Sequence, residues 1–448
     1  MKRILVCLLS FVVVAVLVLA GLFAFFRLEG TPPAIEVVAP PEVIGRDATV
    51  RVRVRDDRSG VRRVTVALVQ DQRVYRVGAG TLPPAAWWRG TGVPEREWTF
   101  SFHPHALGLA EGPARLRVEA WDASARNVLA GNWARLERPV RVDITPPRVQ
   151  VLSRMHNVAV GGAGLVAYRL SERPADSGVV VGDRFFPGYP KPGGRAGDYA
   201  ALVAIPFDVQ QVDRVYVEAR DAAGNVGRAG VPFLVLRRTP RSDRIRITDD
   251  FLRRKMPGFA RPDEPETDLL AVFLRVNGEL RRENARRLRE LCAGSRPELL
   301  WSGAFLRLPR SSRRAGFAER RTYLYRGREV DRAVHLGVDL AATAHSPVPA
   351  ANAGRVAFAG ELGIYGNTVL LDHGFGLFSL YGHLSSIAVT PGQEVRKGQV
   401  IGRTGMTGLA GGDHLHFAML VHGVFVDPVE WWDRKWIEGH ILANLAAE

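Results

Sequence analysis

The chain has 448 residues, 46% of them hydrophobic and 24% charged. That balance belongs to a globular protein of several domains and excludes a disordered, collagen-like or many-spanning membrane chain. Two cysteines, Cys7 and Cys292, exclude a disulfide framework and a thiolate zinc site. The net charge of +15 is carried by arginine, since only five of the 61 basic residues are lysine. Those arginines are spread over every segment, so nucleic acid is not the expected partner, and any electrostatic partner is an anionic surface or wall polymer.

Ile4 to Phe26 is a 23-residue run without charge. At about 1.5 Å per residue it is long enough to cross a bilayer core of about 30 Å. Lys2 and Arg3 precede it, and positive-inside logic then keeps the first residues in the cytoplasm and exports the rest. A cleaved signal peptide has a shorter apolar region of about 7–15 residues and a small-x-small site. Only a weak site falls near Ala20 to Ala24, so the expectation is an uncleaved transmembrane anchor over 4–26. Everything after residue 30 is then outside the cytoplasm, and Cys292, with Cys7 in the bilayer, is filler.

An imperfect repeat follows. Thr31-Pro-Pro-Ala-Ile-Glu-Val-Val recurs as Thr145-Pro-Pro-Arg-Val-Gln-Val-Leu, and Val118-Glu-Ala-Trp-Asp-Ala as Val217-Glu-Ala-Arg-Asp-Ala. The second unit is shorter, which places an insertion at Trp87-Trp88 of the first. Stretches such as Val50-Arg-Val-Arg-Val-Arg alternate apolar and polar residues between turn clusters such as Arg58-Ser59-Gly60, the period of antiparallel strands with one buried face. Two sandwiches that resemble bacterial immunoglobulin-like domains are expected over 31–142 and 143–238. Their Asp-rich turns read as ordinary turn chemistry before calcium sites.

The pattern changes near Arg238. Leu269, Leu270, Phe273, Leu274, Ala285, Leu288 and Leu291 have helical spacing, with Thr267 or Asp268 placed to cap. A helical linker over 239–300 is expected, split into two helices at Asn277 and Gly278. A domain over 301–436 completes a mainly β, multi-domain chain.

Eight of the 11 histidines lie between His335 and His440. Three motifs stand out: His335-Leu-Gly-Val-Asp339, Tyr381-Gly-His383-Leu and His414-Leu-His416. Gly337 and Val338 favour an extended segment, on which His335 and Asp339 share a face. On a strand His414 and His416 share one too. Two imidazoles and a carboxylate form a ligand set of catalytic zinc with a position left for water. Each motif alone also fits a satisfied histidine pair, and the same ligand types occur in iron oxygenases.

Taken together and in this order, the motifs resemble the LytM/lysostaphin-type zinc peptidases, the M23 family of peptidoglycan endopeptidases. The resemblance runs from Arg320 to Trp432 and includes Tyr365-Gly-Asn-Thr-Val-Leu-Leu-Asp-His-Gly, Val395-Arg-Lys-Gly-Gln-Val-Ile-Gly and Gly412-Asp-His-Leu-His-Phe. It implies an antiparallel β-sheet domain, one zinc ion held by His335, Asp339 and His416, and catalytic histidines His383 and His414. It also implies peptidoglycan as the substrate, cut at the bond between D-alanine and meso-diaminopimelate, in the periplasm of an inner-membrane-anchored protein. Asn367 is a turn residue that could line the substrate groove. His373 is expected to be structural. Where the family often has an acidic residue, this chain has Ala418. The competing function is a silent relative that activates another wall hydrolase, although all five expected positions are filled. A further expectation is that Arg307 to Leu324 folds back over the groove as an inhibitory segment.

Overall fold

The computed structural model describes residues 2–83, 92–154, 156–209, 211–261 and 268–448. Trp87, Trp88 and Thr267 lie outside the described residues. The protein is mainly β, with one long helix, Lys2–Arg27, at its start. Within that helix Leu8–Phe25 is long and apolar enough to cross a membrane.

Two compact units divide the chain. The first contains residues 1–147 and 220–226, and the second contains 148–219 and 227–448. Part of the stretch expected as a second sandwich, 220–226, therefore belongs with the first unit.

In the first unit a five-stranded sheet faces a three-stranded one. Strand Ala48–Arg55 shows why: Val50, Val52 and Val54 point into the core while Arg51, Arg53 and Arg55 point out. The outward arginines pair across strands, Arg53 with Glu36 at 3.1 Å and with Glu97 at 3.0 Å. Such exposed pairs add little in water, so the shared valine core holds the sheets together. Glu29, Asp56 and Asp122 are buried together at one end, and burial lifts the Asp122 carboxyl to about 6.

The second unit is organised by an antiparallel sheet with strands in the order Ser312–Ala315, Val338–Ala341, Leu415–Val421, Leu377–Gly382, Asn367–Asp372, Gly354–Glu361 and Glu394–Val395. Strand Leu415–Val421 is buried throughout, and its alternate residues enter different cores. Leu415, Phe417, Met419 and Val421 join a core that continues into the strands Ala163–Leu170 and Asp198–Ala204 and the C-terminal residues Trp431, Ile437 and Ile441. Ala418 and Leu420 join a second core with Val272, Phe273, Val276, Leu288 and Cys292. With both faces covered, the strand reads as a continuous apolar run from Phe417 to Val421.

The described residues of 239–300, those of 239–261 and 268–300, are thus packed onto the sheet. Strand Ser242–Ile247 pairs in parallel with Glu319–Tyr325, which pairs antiparallel with Arg328–His335. Helix Leu269–Arg275 is capped by Asp268, whose carboxylate accepts from the Ala271 amide at 3.0 Å. The expected break at Asn277 and Gly278 is a π-helical turn, Val276–Leu280, that leads directly into helix Arg281–Leu291. The extra residue is absorbed because Val276 and Asn277 are both buried, and Asn277 Nδ2 donates to Asp331. Ala418 now has a reason: it lies beneath this helical layer, where a carboxylate would lose its water.

Arg307 to Leu324 does not cross the groove as a strap. Ser312–Ala315 pairs with the edge of Val338–Ala341, and Glu319–Tyr325 is the centre of the three-stranded sheet. Unpaired edge amides and carbonyls of both strands are satisfied this way.

Candidate metal centre and catalytic groove

The site forms where the helical layer stops covering its face of the sheet. Asp339 and His416 are directly opposite one another on neighbouring strands, and Gly382 is opposite His416 on the next. His335 ends the strand Arg328–His335, and Gly337 lets the chain turn into Val338–Ala341. A Cβ on Gly337 would come within 2.5 Å of His416 Cε1, so only glycine admits this imidazole.

Three atoms converge. His335 Nε2 is 2.9 Å from Asp339 Oδ1 and 3.0 Å from His416 Nδ1, and His416 Nδ1 is 2.9 Å from Asp339 Oδ1. The proton on His335 can be placed: Nδ1 faces the Gly316 carbonyl at 2.9 Å, which only accepts, so Nδ1–H donates there and Nε2 carries its lone pair inward. A lone pair, a carboxylate oxygen and a second imidazole nitrogen meeting in a buried triangle call for a cation. The edges of 2.9–3.0 Å are near the roughly 3.3 Å separation of ligands around tetrahedral zinc. On this donor set the residues fit zinc.

The surroundings reinforce that chemistry. Burial alone would push the Asp339 carboxyl up, but its interactions with His335, and with His414 and His416, hold it well below the usual carboxylate range. Burial pulls His416 down to about 4, which keeps it neutral and able to donate a lone pair. Its Nε2 is buried with no hydrogen-bond partner among the described residues.

Two further histidines border the triangle. His414 Nε2 is 3.5 Å from Asp339 Oδ1, and its Nδ1–H donates to the Gly412 carbonyl at 2.8 Å. His383 Nδ1–H donates to the Thr407 carbonyl at 2.8 Å, and its ring centre is 4.8 Å from that of His414. His383 therefore keeps Nε2 as an acceptor, whereas His414 Nε2 faces Asp339 Oδ1. Burial, with the charges of His414 and His416, holds His383 well below its ordinary value. Burial also opposes protonation of His414, but the hydrogen bond and charge of Asp339 outweigh it and raise this group. His383 sits at φ +63, a left-handed conformation uncommon for a residue with a side chain.

The five histidine and aspartate positions expected from the sequence are thus in one place. Asn367 is not brought to the cavity: it is half-buried, its amide donates to Thr407 Oγ1 at 3.0 Å, and its carbonyl accepts from Leu384. His373 is buried and bonded to the Ala353 carbonyl and Ser379 Oγ, as a structural residue. A cavity of about 390 Å³ opens over the triangle. Its far wall comes from the stretch expected as a linker, through Ile245, Phe251, Phe273 and Arg281. Arg321, also unanticipated, donates to Asp339 Oδ2 at 3.1 Å and pairs with Glu319 at 3.4 Å.

Residues 333–428 match the family model described as Peptidase family M23. Among curated proteins, 96 residues are 43% identical to the DD-carboxypeptidase/endopeptidase Mpg of Neisseria meningitidis, covering 21% of this chain and 22% of that one. Another 91-residue match is 40% identical to the peptidoglycan DD-endopeptidase ShyA of Vibrio cholerae, covering 20% and 21%. The chain therefore spans only about a fifth of the length of these relatives. Among solved structures, an M23 peptidase of Pseudomonas aeruginosa aligns over 61% of this chain and 94% of its own, at 23% identity and a TM-score of 0.39. The lysostaphin catalytic domain of Staphylococcus simulans aligns over 29% and 98%, at 28% identity and a TM-score of 0.26.

Proposed function

Taking residues 333–428 as an M23 peptidase domain, we propose that the protein is a membrane-anchored, zinc-dependent endopeptidase of peptidoglycan. Its proposed substrate is the peptide cross-link between D-alanine and meso-diaminopimelate, and its proposed place is the periplasmic face of an inner membrane. The observation that carries this reading is the buried triangle of His335 Nε2, Asp339 Oδ1 and His416 Nδ1, with two histidines beside it whose Nδ1–H groups are each held by a backbone carbonyl.

In this reading His335, Asp339 and His416 hold zinc. Zinc held there would lower the pKa of a bound water toward about 7 and would polarise the scissile carbonyl. The chain's own residues do the rest. Gly316 fixes the tautomer of His335, and Arg321 occupies Asp339 Oδ2 so that Oδ1 faces the centre. His383 and His414 act as a pair: the neutral imidazole accepts a proton at Nε2, and the protonated one stabilises the oxyanion or donates to the leaving amine. The helical layer and Leu409 wall off part of the groove from water.

The experiment is digestion of purified muropeptides by the full chain, with products identified by mass and His416→Ala as control. New monomers carrying a free D-alanine carboxyl support the reading. Bound zinc without turnover would instead favour a silent activator of another hydrolase.

A further inference from the structure

Leu8–Phe25 is apolar enough to span a bilayer, so the hydrocarbon core ends near Phe25 if the helix crosses. Leu28 lies three residues on, about 4.5 Å further at helical rise, within a headgroup layer that adds about 5–8 Å per side. The chain does not leave the helix on a free linker. Arg126 Nε donates to the Leu28 carbonyl at 2.7 Å, and Ser124 Oγ and Asn132 Nδ2 donate to the Glu29 carbonyl at 3.1 and 3.0 Å. Ser59 Oγ donates to Glu29 Oε1 at 3.1 Å, and Glu29 is buried. The guanidinium of Arg58 lies 5.4 Å from the centre of the Phe25 ring. Loops 56–60 and 122–132 are therefore fixed at the depth of residues 25–29.

That end of the first unit displays an unusual surface. Val128 is 98% exposed and sits at φ +56, a left-handed conformation that strains a β-branched residue and that no packing within the unit offsets. Trp133 is half exposed and lies opposite Trp121 in the sheet. Arg63 stacks 3.8 Å from the Trp121 ring centre, and Arg135 lies 5.3 Å from that of Trp133. A cleft of about 490 Å³ is lined by Arg63, Trp121 and Val128 among others. Of the nearby carboxylates, Glu29, Asp56 and Asp122 are buried inside, Asp57 is exposed but paired with Arg55 at 2.9 Å, and Glu119 is paired with Arg135 at 2.7 Å, which leaves Arg58 and Arg126 beside apolar groups on the outer face.

We propose that this end of the first sandwich is a membrane-contact surface, where Arg58 and Arg126 bind the phosphates of anionic phospholipids and Val128 and Trp133 sit among the headgroups. The proposal rests on the reading of Lys2–Arg27 as a membrane anchor. Tryptophan at a bilayer interface and arginine facing anionic headgroups are both favourable, the latter by about 1 kcal/mol per residue. Charge favours a phosphodiester over a neutral sugar ring, although a glycan could also stack on Trp121 and Trp133. The surface would hold the sandwich against the leaflet through which the helix emerges.

The test uses the full chain in nanodiscs of phosphatidylethanolamine and phosphatidylglycerol. In a Cys7→Ser background, spin labels are placed in turn at Val128→Cys, Leu17→Cys and Val74→Cys. Val74 belongs to the strand Arg73–Thr81, which begins at the far end of strand Val61–Gln70, about 30 Å from these loops at strand rise. Collision with a water-soluble nickel chelate is expected to be about fivefold lower at 128 than at 74, and to rise when Arg58 and Arg126 are both replaced by Ala. Equal accessibility at 128 and 74, with position 17 buried in lipid, overturns the proposal and leaves the anchor standing. A water-exposed label at 17 overturns both. Shielding of 128 only after soluble glycan strands are added assigns the surface to glycan and overturns the lipid assignment.

Discussion

Arg321 Nη2 stands 3.1 Å from Asp339 Oδ2, the carboxylate oxygen turned away from the converging nitrogens. With the other oxygen so occupied, Asp339 is restrained to offer Oδ1 alone. Arg321→Ala is expected to weaken zinc binding about 10- to 100-fold, the usual cost of losing a partner of a ligand. Arg321→Lys should recover part of it, because a point charge can replace the pairing but not the guanidinium's planar geometry. Competition with a fluorescent chelator measures this independently of turnover. Unchanged affinity in both variants would remove Arg321 from the account.

Gly337 supports the same centre from another direction. A methyl group there meets the His416 ring at 2.5 Å and the Phe417 carbonyl at 2.8 Å. Gly337→Ala should displace the imidazole, abolish stoichiometric zinc and leave the β-sheet spectrum intact. Circular dichroism with metal analysis checks both halves of that outcome.

Removal of either proton-handling histidine should act on rate. His383→Ala and His414→Ala are each expected to lower kcat about 10²- to 10⁴-fold while zinc remains bound. Muropeptide turnover at saturating substrate, with metal content measured on the same samples, tests this. Loss of zinc in either variant would move that histidine into the ligand set.

Strand alternation showed in the sequence that His335 and Asp339 share a face and that His414 and His416 share one, but which of them form the triangle was implied only by the resemblance to the M23 family. Arg321 was not legible. It reaches Asp339 by strand pairing through Arg328–His335, a relationship that local spacing does not encode. The helical stretch was recognised by its period, yet nothing in Phe251 or Phe273 tells whether their apolar faces meet each other or a distant sheet. Asn367 lies beside the motif residues in sequence, and its backbone bonds go to Thr407 and Leu384.

The helical layer also bears on stability. Leu288 is fully buried in the core shared with Leu370, Phe378 and Leu420 of the sheet. Leu288→Ala should cost about 2–5 kcal/mol and lower the melting of the catalytic sheet with that of the helices in one transition. Separate transitions in calorimetry, with the sheet unaffected, would make this stretch an independent linker.

Glu430 gives a pH dependence of known sign. Burial, aided by the negative charge of Asp427, lifts its carboxyl to about 8 against the partial relief of Arg238 and the Ala163 amide. The folded protein therefore holds this proton more tightly than the unfolded chain, whose ordinary value is 4.5. Its contribution is fully stabilising below about 4.5 and is lost as pH rises through about 8. Glu430→Gln should flatten the fall in Tm across that window and leave the protein relatively more stable above it. A parallel fall in both proteins would contradict the assignment.

The most direct measurement is anomalous diffraction at the zinc absorption edge from crystals of protein purified without added metal. The account predicts one peak about 2 Å from His335 Nε2, Asp339 Oδ1 and His416 Nδ1. No peak at that position, or one that appears only at the iron edge, would contradict it.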